Sequence, residues 1–354
     1  MKVFKHELTA AIKNLKPVVP KSAPFPGLQG ILVKDGVLTA SNTELTMQVT
    51  MDAAKDEAFI IPEAAFNLIE NLPEGEVEIR EEDKAIHIKT SKIKNKFPSF
   101  DADTFGYAMP DVKSGGCEVI RGKDLFLALA RVEFACAKEA GKPILQGVCI
   151  KREHDELHFV ASDGHVLAWD RVQSDGPDME IIIPQTTVKK LIGMGIDDDV
   201  EFFYDANHAV FRTEKYTVCT RLINGPYFGY KMAFADQPLN TSADRKELLE
   251  AVNRAKICEK QGITKKPITL SFSDDVIDIQ RLGDDVMYAE SIPNGKRMDS
   301  AVRISFDGGY MMAALKAFSS DMIYMSMSSG VSPVIFETDE AELKVLVLPV
   351  RTSG

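Results

Sequence analysis

The chain has 354 residues, a formal net charge of −11 and 45% hydrophobic residues, enough apolar material for two or three cored domains rather than one. No apolar run is long enough to span a bilayer, and the opening MKVFKHELTAAIKNLKPVV breaks its apolar positions with Lys, His and Glu, so neither a membrane segment nor a signal peptide is expected and the reading is cytoplasmic. Cys117, Cys136, Cys149, Cys219 and Cys258 are scattered without a Cys-x-x-Cys pair, which argues against a disulfide framework and a structural zinc site.

In chain order, apolar residues at helical spacing, such as Leu8, Ile12 and Leu15, predict helices over 6–16, 63–72, 122–138, 185–195, 244–260 and 308–318. Pro62 and Pro184 precede the second and fourth, where a missing N–H costs nothing. Between the helices the pattern turns to period two, as in GILVKDGVLTAS (30–41), GVCIKREHDELHFVAS (147–162) and ITLSFSDDVIDIQ (268–280).

These segments repeat. Pro62, Pro184 and Phe306 stand 122 residues apart, FGYAM (105–109) returns as FGYKM (228–232) after 123, and Ser41 corresponds to Ser162 at 121. The linker-like stretches PDVKSGG (110–116) and ADQPLNTSAD (235–244) punctuate the units. An α+β chain of three similar domains follows, over 1–113, 114–236 and 237–354, each with two helices packed on antiparallel sheet.

Two stretches invite a catalytic reading. FVASDGHVLAWD (159–170) brings Ser162, Asp163 and His165 together, as a hydrolase would need, but a serine nucleophile takes its base and oxyanion site from distant parts of a fold. The repeat makes this loop a strand-end turn instead. HDELH (154–158) has the histidine spacing of a zinc helix, yet Asp155 stands where the general-base Glu should be, and the repeat puts His154 in a hairpin turn. No Gly-rich phosphate loop is present. No catalytic residue, metal or cofactor is expected.

The six helical segments carry a net charge of +4 against −15 for the remainder. Exposed helix faces with mixed charge, including the Glu250–Arg254 spacing, explain this as solubility. A surface facing a polyanion, formed by Lys13, Lys16, Lys123, Arg131, Lys138, Lys189, Lys190, Arg254 and Lys256, explains it equally. Charge alone leaves both open. So thin a surplus would hold DNA poorly unless the protein surrounded it.

The segments MKVFKHELTAAIKNL, TASNTELTMQV, IIPEAAFNLIENLP, ILQGVCI, FVASDGHVLA, RLINGPYFGY, SFDGGYMMAALKAF, GVSPVIF and VLVLPVR resemble, in order and spacing, the bacterial DNA polymerase III beta subunit family, the sliding clamps. The resemblance implies a DNA clamp fold: a ring-shaped homodimer whose helices line a hole around double-stranded DNA, read without sequence specificity. It adds Lys21 and Lys142 as loop residues near DNA. It also implies a pocket between domains 2 and 3 for short linear peptides of the replicative polymerase, clamp loader and repair proteins. Leu145, Ser162, Gly164, His165 and Leu167 would form one side, with Phe228, Met232 and Ala233 after them. Asp307, Tyr310, Val331 and Pro333 would come from domain 3, and Leu346, Val347, Leu348, Pro349, Val350 and Arg351 from the C-terminal segment. The sequence departs from the family at Val166, where Arg is common, at Phe228 and Met232, which replace Pro and Arg, and in the closing TSG (352–354). The remaining alternatives are the Ser162/His165 hydrolase and a monomeric peptide-binding scaffold. For ring closure, SKIKNKFPSF (91–100) is the expected free edge of domain 1 and ITLSFS (268–273) that of domain 3.

Overall fold

The structure is a computed structural model that describes residues 1–112, 117–139, 141–258, 267–282, 287–296, 301–339 and 341–351. The expected boundary at 113/114 and the closing TSG lie outside the described residues.

The order of elements repeats three times: a strand, a helix, four strands, a helix, three strands. The helices are α1 (Lys5–Leu15), α2 (Glu63–Glu70), α3 (Gly122–Glu133), α4 (Gln185–Gly193), α5 (Arg245–Ile257) and α6 (Gly308–Lys316). Pro62 and Pro184 end the strands Ala58–Pro62 and Met179–Pro184, and α2 and α4 start at the next residue. In the third repeat Phe306 ends the strand and Asp307 caps α6, its carboxylate accepting from the Gly309 N–H at 2.6 Å. Helix α3 stops at Glu133, short of the expected 138. There the Gln185 amide donates to the Glu133 carboxylate at 2.7 Å and to its carbonyl at 3.4 Å, and the Ala137 N–H turns away to Leu145 O at 2.8 Å.

The contacts divide the chain into two compact units, residues 1–123 with 193–222 and residues 124–192 with 223–354. In the first, an antiparallel eight-stranded sheet runs Ala58–Pro62, Gly30–Lys34, Val37–Ser41, Leu45–Thr50, Tyr216–Arg221, His208–Arg212, Asp199–Tyr204, Cys117–Arg121. Its middle is the pairing of Leu45–Thr50 with Tyr216–Arg221, which joins strands of consecutive repeats. A four-stranded sheet, Lys2–Phe4, Glu76–Glu82, Ala85–Lys89, Lys94–Pro98, completes the unit. Leu8, Ile12 and Leu15 of α1 and Phe66 and Ile69 of α2 are fully buried in it, each such side chain contributing about 1.5–3 kcal/mol of apolar burial.

The second unit repeats the plan. Its eight-stranded sheet runs Met179–Pro184, Gly147–Glu153, Glu156–Ser162, Val166–Gln173, Ala341–Val347, Val334–Thr338, Met322–Met327, Leu239–Asp244, and its four-stranded sheet runs Met287–Pro293, Val276–Leu282, Ile268–Phe272, Val302–Phe306. Leu248 and Val252 of α5 and Leu315 of α6 are fully buried. A fully buried Arg152 pins the 174–177 turn, donating to Ser174 O, Ser174 Oγ and Pro177 O at 3.1–3.2 Å. A buried guanidinium is tolerated only when its donors are satisfied in this way.

Lys94–Pro98 is an edge strand, as expected from SKIKNKFPSF, pairing only with Ala85–Lys89 among the described residues. The expected edge at 268–273 is not one. Ile268–Phe272 has a neighbour on each side, Val276–Leu282 and Val302–Phe306, and the edges are Met287–Pro293 and Val302–Phe306. By position in the repeat, Met287–Pro293 matches Leu45–Thr50 and Val166–Gln173, and Lys94–Pro98 matches Tyr216–Arg221 and Ala341–Val347.

Candidate functional site

The 162–166 loop closes a hairpin between Glu156–Ser162 and Val166–Gln173. The Asp163 carboxylate accepts from the His165 and Val166 N–H groups at 2.8 and 2.9 Å, and Gly164 takes φ +91°, the Asx-turn chemistry that Asp and Gly favour. Ser162 Oγ donates to Val166 O at 2.8 Å and accepts from Gly164 N at 3.1 Å. In the first repeat Ser41 Oγ accepts from Thr43 N at 3.1 Å and Asn42 Oδ1 from Leu45 N at 2.8 Å. The serine therefore holds a turn, and His165 stacks on Tyr310 with ring centroids 5.7 Å apart.

HDELH is likewise a hairpin. His154 and Asp155 turn the chain at φ +53° and +63°, and His158 lies in the following strand, 2% exposed. Trp169 Nε1 donates to His158 Nδ1 at 2.9 Å. Burial first, then the charge of Lys231, pushes the His158 pKa down to about 4, which keeps the ring neutral as the acceptor of that bond.

Beside the 162–166 loop opens a cavity of about 310 Å3, walled by Ile144, Leu145, Val166, Leu167, Phe228, Leu346 and Leu348, with Lys142, Ser162, Gly164 and His165 as its polar groups. Register creates it: Leu167 pairs with Leu346 where Val166–Gln173 meets Ala341–Val347, and Leu348 N donates to His165 O at 2.9 Å, drawing the C-terminal segment past the loop. Behind Leu167 and Leu346 lie Cys149, Val160, Ile182, Tyr230, Phe234 and Ile335, all buried. Such a concave apolar surface with few polar groups suits a small apolar ligand segment.

Of the expected pocket residues, Leu145, Ser162, Gly164, His165, Leu167, Phe228, Leu346 and Leu348 meet in this wall. Tyr310 supports it from behind His165, its hydroxyl hydrogen-bonded to Asp163, and burial raises its pKa. The others lie outside the wall. Val347 is fully buried in the sheet, paired with Val166 and Val334. Asp307 caps α6, Met232 and Val331 are 89% and 80% exposed, Ala233, Val350 and Arg351 are exposed, and Pro333 and Pro349 are half-buried. Ile144 and Val166 were missed as lining residues. Ile144 was findable, because PILQG (143–147) repeats PGLQG (26–30) and shares the turn that carries Leu145.

The expected DNA-facing cations fall into three groups. Lys13, Lys21, Lys123, Lys138, Lys142 and Lys256 are exposed, Lys142 at the cavity. Four others are engaged: Lys16 with Glu70 at 3.0 Å, Arg131 with the buried Asp170 at 3.4 Å, Lys189 with Glu133 at 3.3 Å and Arg254 with Glu290 at 2.6 Å. Lys190 is half-buried, and desolvation lowers its pKa.

Three passes of two helices and paired antiparallel sheets, continuous from one repeat into the next, define a class: a repeat-built α+β clamp fold. Family models described as DNA polymerase III beta subunit, central domain and C-terminal domain match residues 119–228 and 235–351. The beta sliding clamp of Staphylococcus aureus is 24% identical, over 98% of this chain and 97% of its own, and that of Staphylococcus epidermidis is 24% identical over 96% and 95%. The crystal structure of the DNA polymerase sliding clamp from Bacillus subtilis superimposes with TM-score 0.92 at 22% identity, and that of the DNA polymerase III beta subunit from Thermotoga maritima with 0.89 at 21%, each covering 99% of both chains. The chain belongs to the DNA polymerase III beta subunit family, the beta sliding clamps. Its function is that of a non-catalytic processivity factor in DNA replication, and the hydrolase alternative falls away. Among the described residues no helix is long and apolar enough to cross a membrane.

Proposed function

We propose that this clamp works as a head-to-tail homodimer that closes around duplex DNA, and that the cavity beside His165 receives short extended apolar peptides of the replicative polymerase, the clamp loader and repair proteins. The observation that carries closure is the pair of free edges. In each eight-stranded sheet the fourth strand of one repeat pairs with the last strand of the next, Leu45–Thr50 with Tyr216–Arg221 and Val166–Gln173 with Ala341–Val347. Among the described residues, Lys94–Pro98 and Met287–Pro293, which hold the same two positions in the first and third repeats, have a neighbour on one side only. A second copy supplies the other neighbour of each, which removes two exposed edges at once.

Enclosure also reconciles the net charge of −11 with a DNA partner, since retention then depends on topology and only a few phosphate contacts are needed. Lys13, Lys123, Lys138 and Lys256, exposed on or just beyond helices, and the loop residue Lys21 are the residues assigned to those contacts. Lys16, Arg131, Lys189, Lys190 and Arg254 play a lesser part, being ion-paired or half-buried. The domain limits 1–113, 114–236 and 237–354 belong to the same reading, one domain per repeat.

Sedimentation equilibrium tests closure. A mass of two chains that falls to one when Met287–Pro293 is disrupted is expected, and a monomer at all accessible concentrations contradicts it.

A further inference from the structure

The first repeat contains the counterpart of the cavity, and there it is filled. PGLQG (26–30) and PILQG (143–147) form equivalent turns, and FGYAM and FGYKM bring equivalent aromatic residues, Phe105 and Phe228. Phe105 is 2% exposed and packs with Leu28 and Ile60. The approach is close because the turn offers Gly27, where a Cβ would lie 2.6 Å from the Phe105 nitrogen. In the second unit Ile144 stands at that place, and even a Cβ on Gly225 would come within 3.2 Å of its Cγ2. That bulk holds the 225–228 segment off the turn. Phe228 is left 39% exposed at the mouth, stacked on Tyr227 at 4.7 Å, and the space beside Leu145, counterpart of Leu28, is the open cavity.

We infer that Phe228 is the cavity's own plug: its ring swings from the mouth into the space that Phe105 fills in the first repeat, and it competes there with any incoming apolar side chain. Two glycines flank the moving residues. Gly225 takes φ +127°, and a Cβ on Gly229 would meet nothing within 4 Å, so neither flanking residue crowds the ring, while the Tyr227 N–H, 2.8 Å from a Glu180 carboxylate oxygen, anchors the backbone between them. Burying a phenyl ring supplies the drive. A ligand therefore binds only the fraction of molecules whose plug is out, and its apparent affinity falls by that fraction. Phe228 thus sets a threshold that ligands with large apolar side chains pass and weak ones do not. The inference rests on the peptide-docking reading for its ligand, although the motion of Phe228 is a property of the free protein.

The full-length protein with 4-fluorophenylalanine at position 228 is examined by fluorine NMR, and binding of fluorescein-labelled Leu-Ser-Leu-Ser-Phe, whose apolar side chains share one face when extended, is followed by anisotropy. Two fluorine environments are expected in the free protein, with the buried one lost when peptide is added. Phe228→Ala is expected to bind the peptide roughly threefold to tenfold more tightly, as for a plug that closes most molecules. A single solvent-exposed resonance, or weaker binding by Phe228→Ala, overturns the plug. Failure of every variant to bind removes the docking reading instead, and the fluorine spectrum then decides the plug alone.

Discussion

The imidazole of His165 lies against the ring of Tyr310, centroids 5.7 Å apart and planes inclined by 30°. This contact ties a turn of the second repeat to helix α6 of the third, with the Asp163 carboxylate holding both the turn and the Tyr310 hydroxyl. Tyr310→Ala is expected to weaken peptide binding by roughly three- to tenfold, the worth of one aromatic pair, and His165→Ala by a similar factor. Anisotropy titration measures this, with thermal unfolding as the control for the fold. Unchanged affinity in both variants would show that the cavity mouth plays no part in docking.

Acid should weaken the second unit through His158. Its pKa is about 4 when folded, from an ordinary 6.5, because burial and then Lys231 oppose the charged ring. A lowered histidine pKa means that the unfolded chain binds more protons between these values. Its stabilisation is complete above about pH 6.5, declines as pH falls toward 4 and is flat below. The full span is roughly 3 kcal/mol. His158→Gln keeps an acceptor for Trp169 Nε1 but does not titrate, so urea unfolding of this variant should lose most of the slope between pH 6.5 and 4.

Arg131 answers a buried carboxylate. Asp170 is 1% exposed, and burial raises its pKa despite the guanidinium 3.4 Å away. Arg131→Gln is expected to destabilise the protein by roughly 1–3 kcal/mol, the penalty for leaving a buried polar group without its partner. Lys123→Gln, exposed on the same helix, should leave stability unchanged. Denaturant melts of the two variants separate a structural cation from one available to phosphate.

The proposed seam is sensitive to sign. Lys94 and Lys96 are exposed on one edge, and Ala289 is exposed on the other. Ala289→Lys should loosen the dimer about threefold to tenfold by like-charge repulsion across the strands, and Ala289→Glu should not. Dimer dissociation constants from sedimentation give the comparison, and equal effects from both substitutions would argue for another interface.

Much of the fold was legible because its repeat is written in residues that do local work. Pro62 and Pro184 close strands and open helices, and Ser41 and Ser162 hold the same turn. Pairing order was not legible. Ile268–Phe272 and Met287–Pro293 are both strands flanking Val276–Leu282, and only long-range packing decides which one also meets Val302–Phe306. The end of α3 was missed for a related reason, since Gln185, which caps Glu133, is 52 residues away. At the cavity the turn residues were legible and the wall only in part. Ile144 matters through its contrast with Gly27, and Lys142, which the family resemblance puts near DNA, also lines the cavity.

The central claim is enclosure, and the release of loaded protein from DNA of changed topology tests it most directly. Protein loaded on a nicked circle should stay bound through gel filtration and be lost when a single restriction cut makes the circle linear. Equal retention on circular and linear DNA would contradict a clamp that holds DNA by surrounding it.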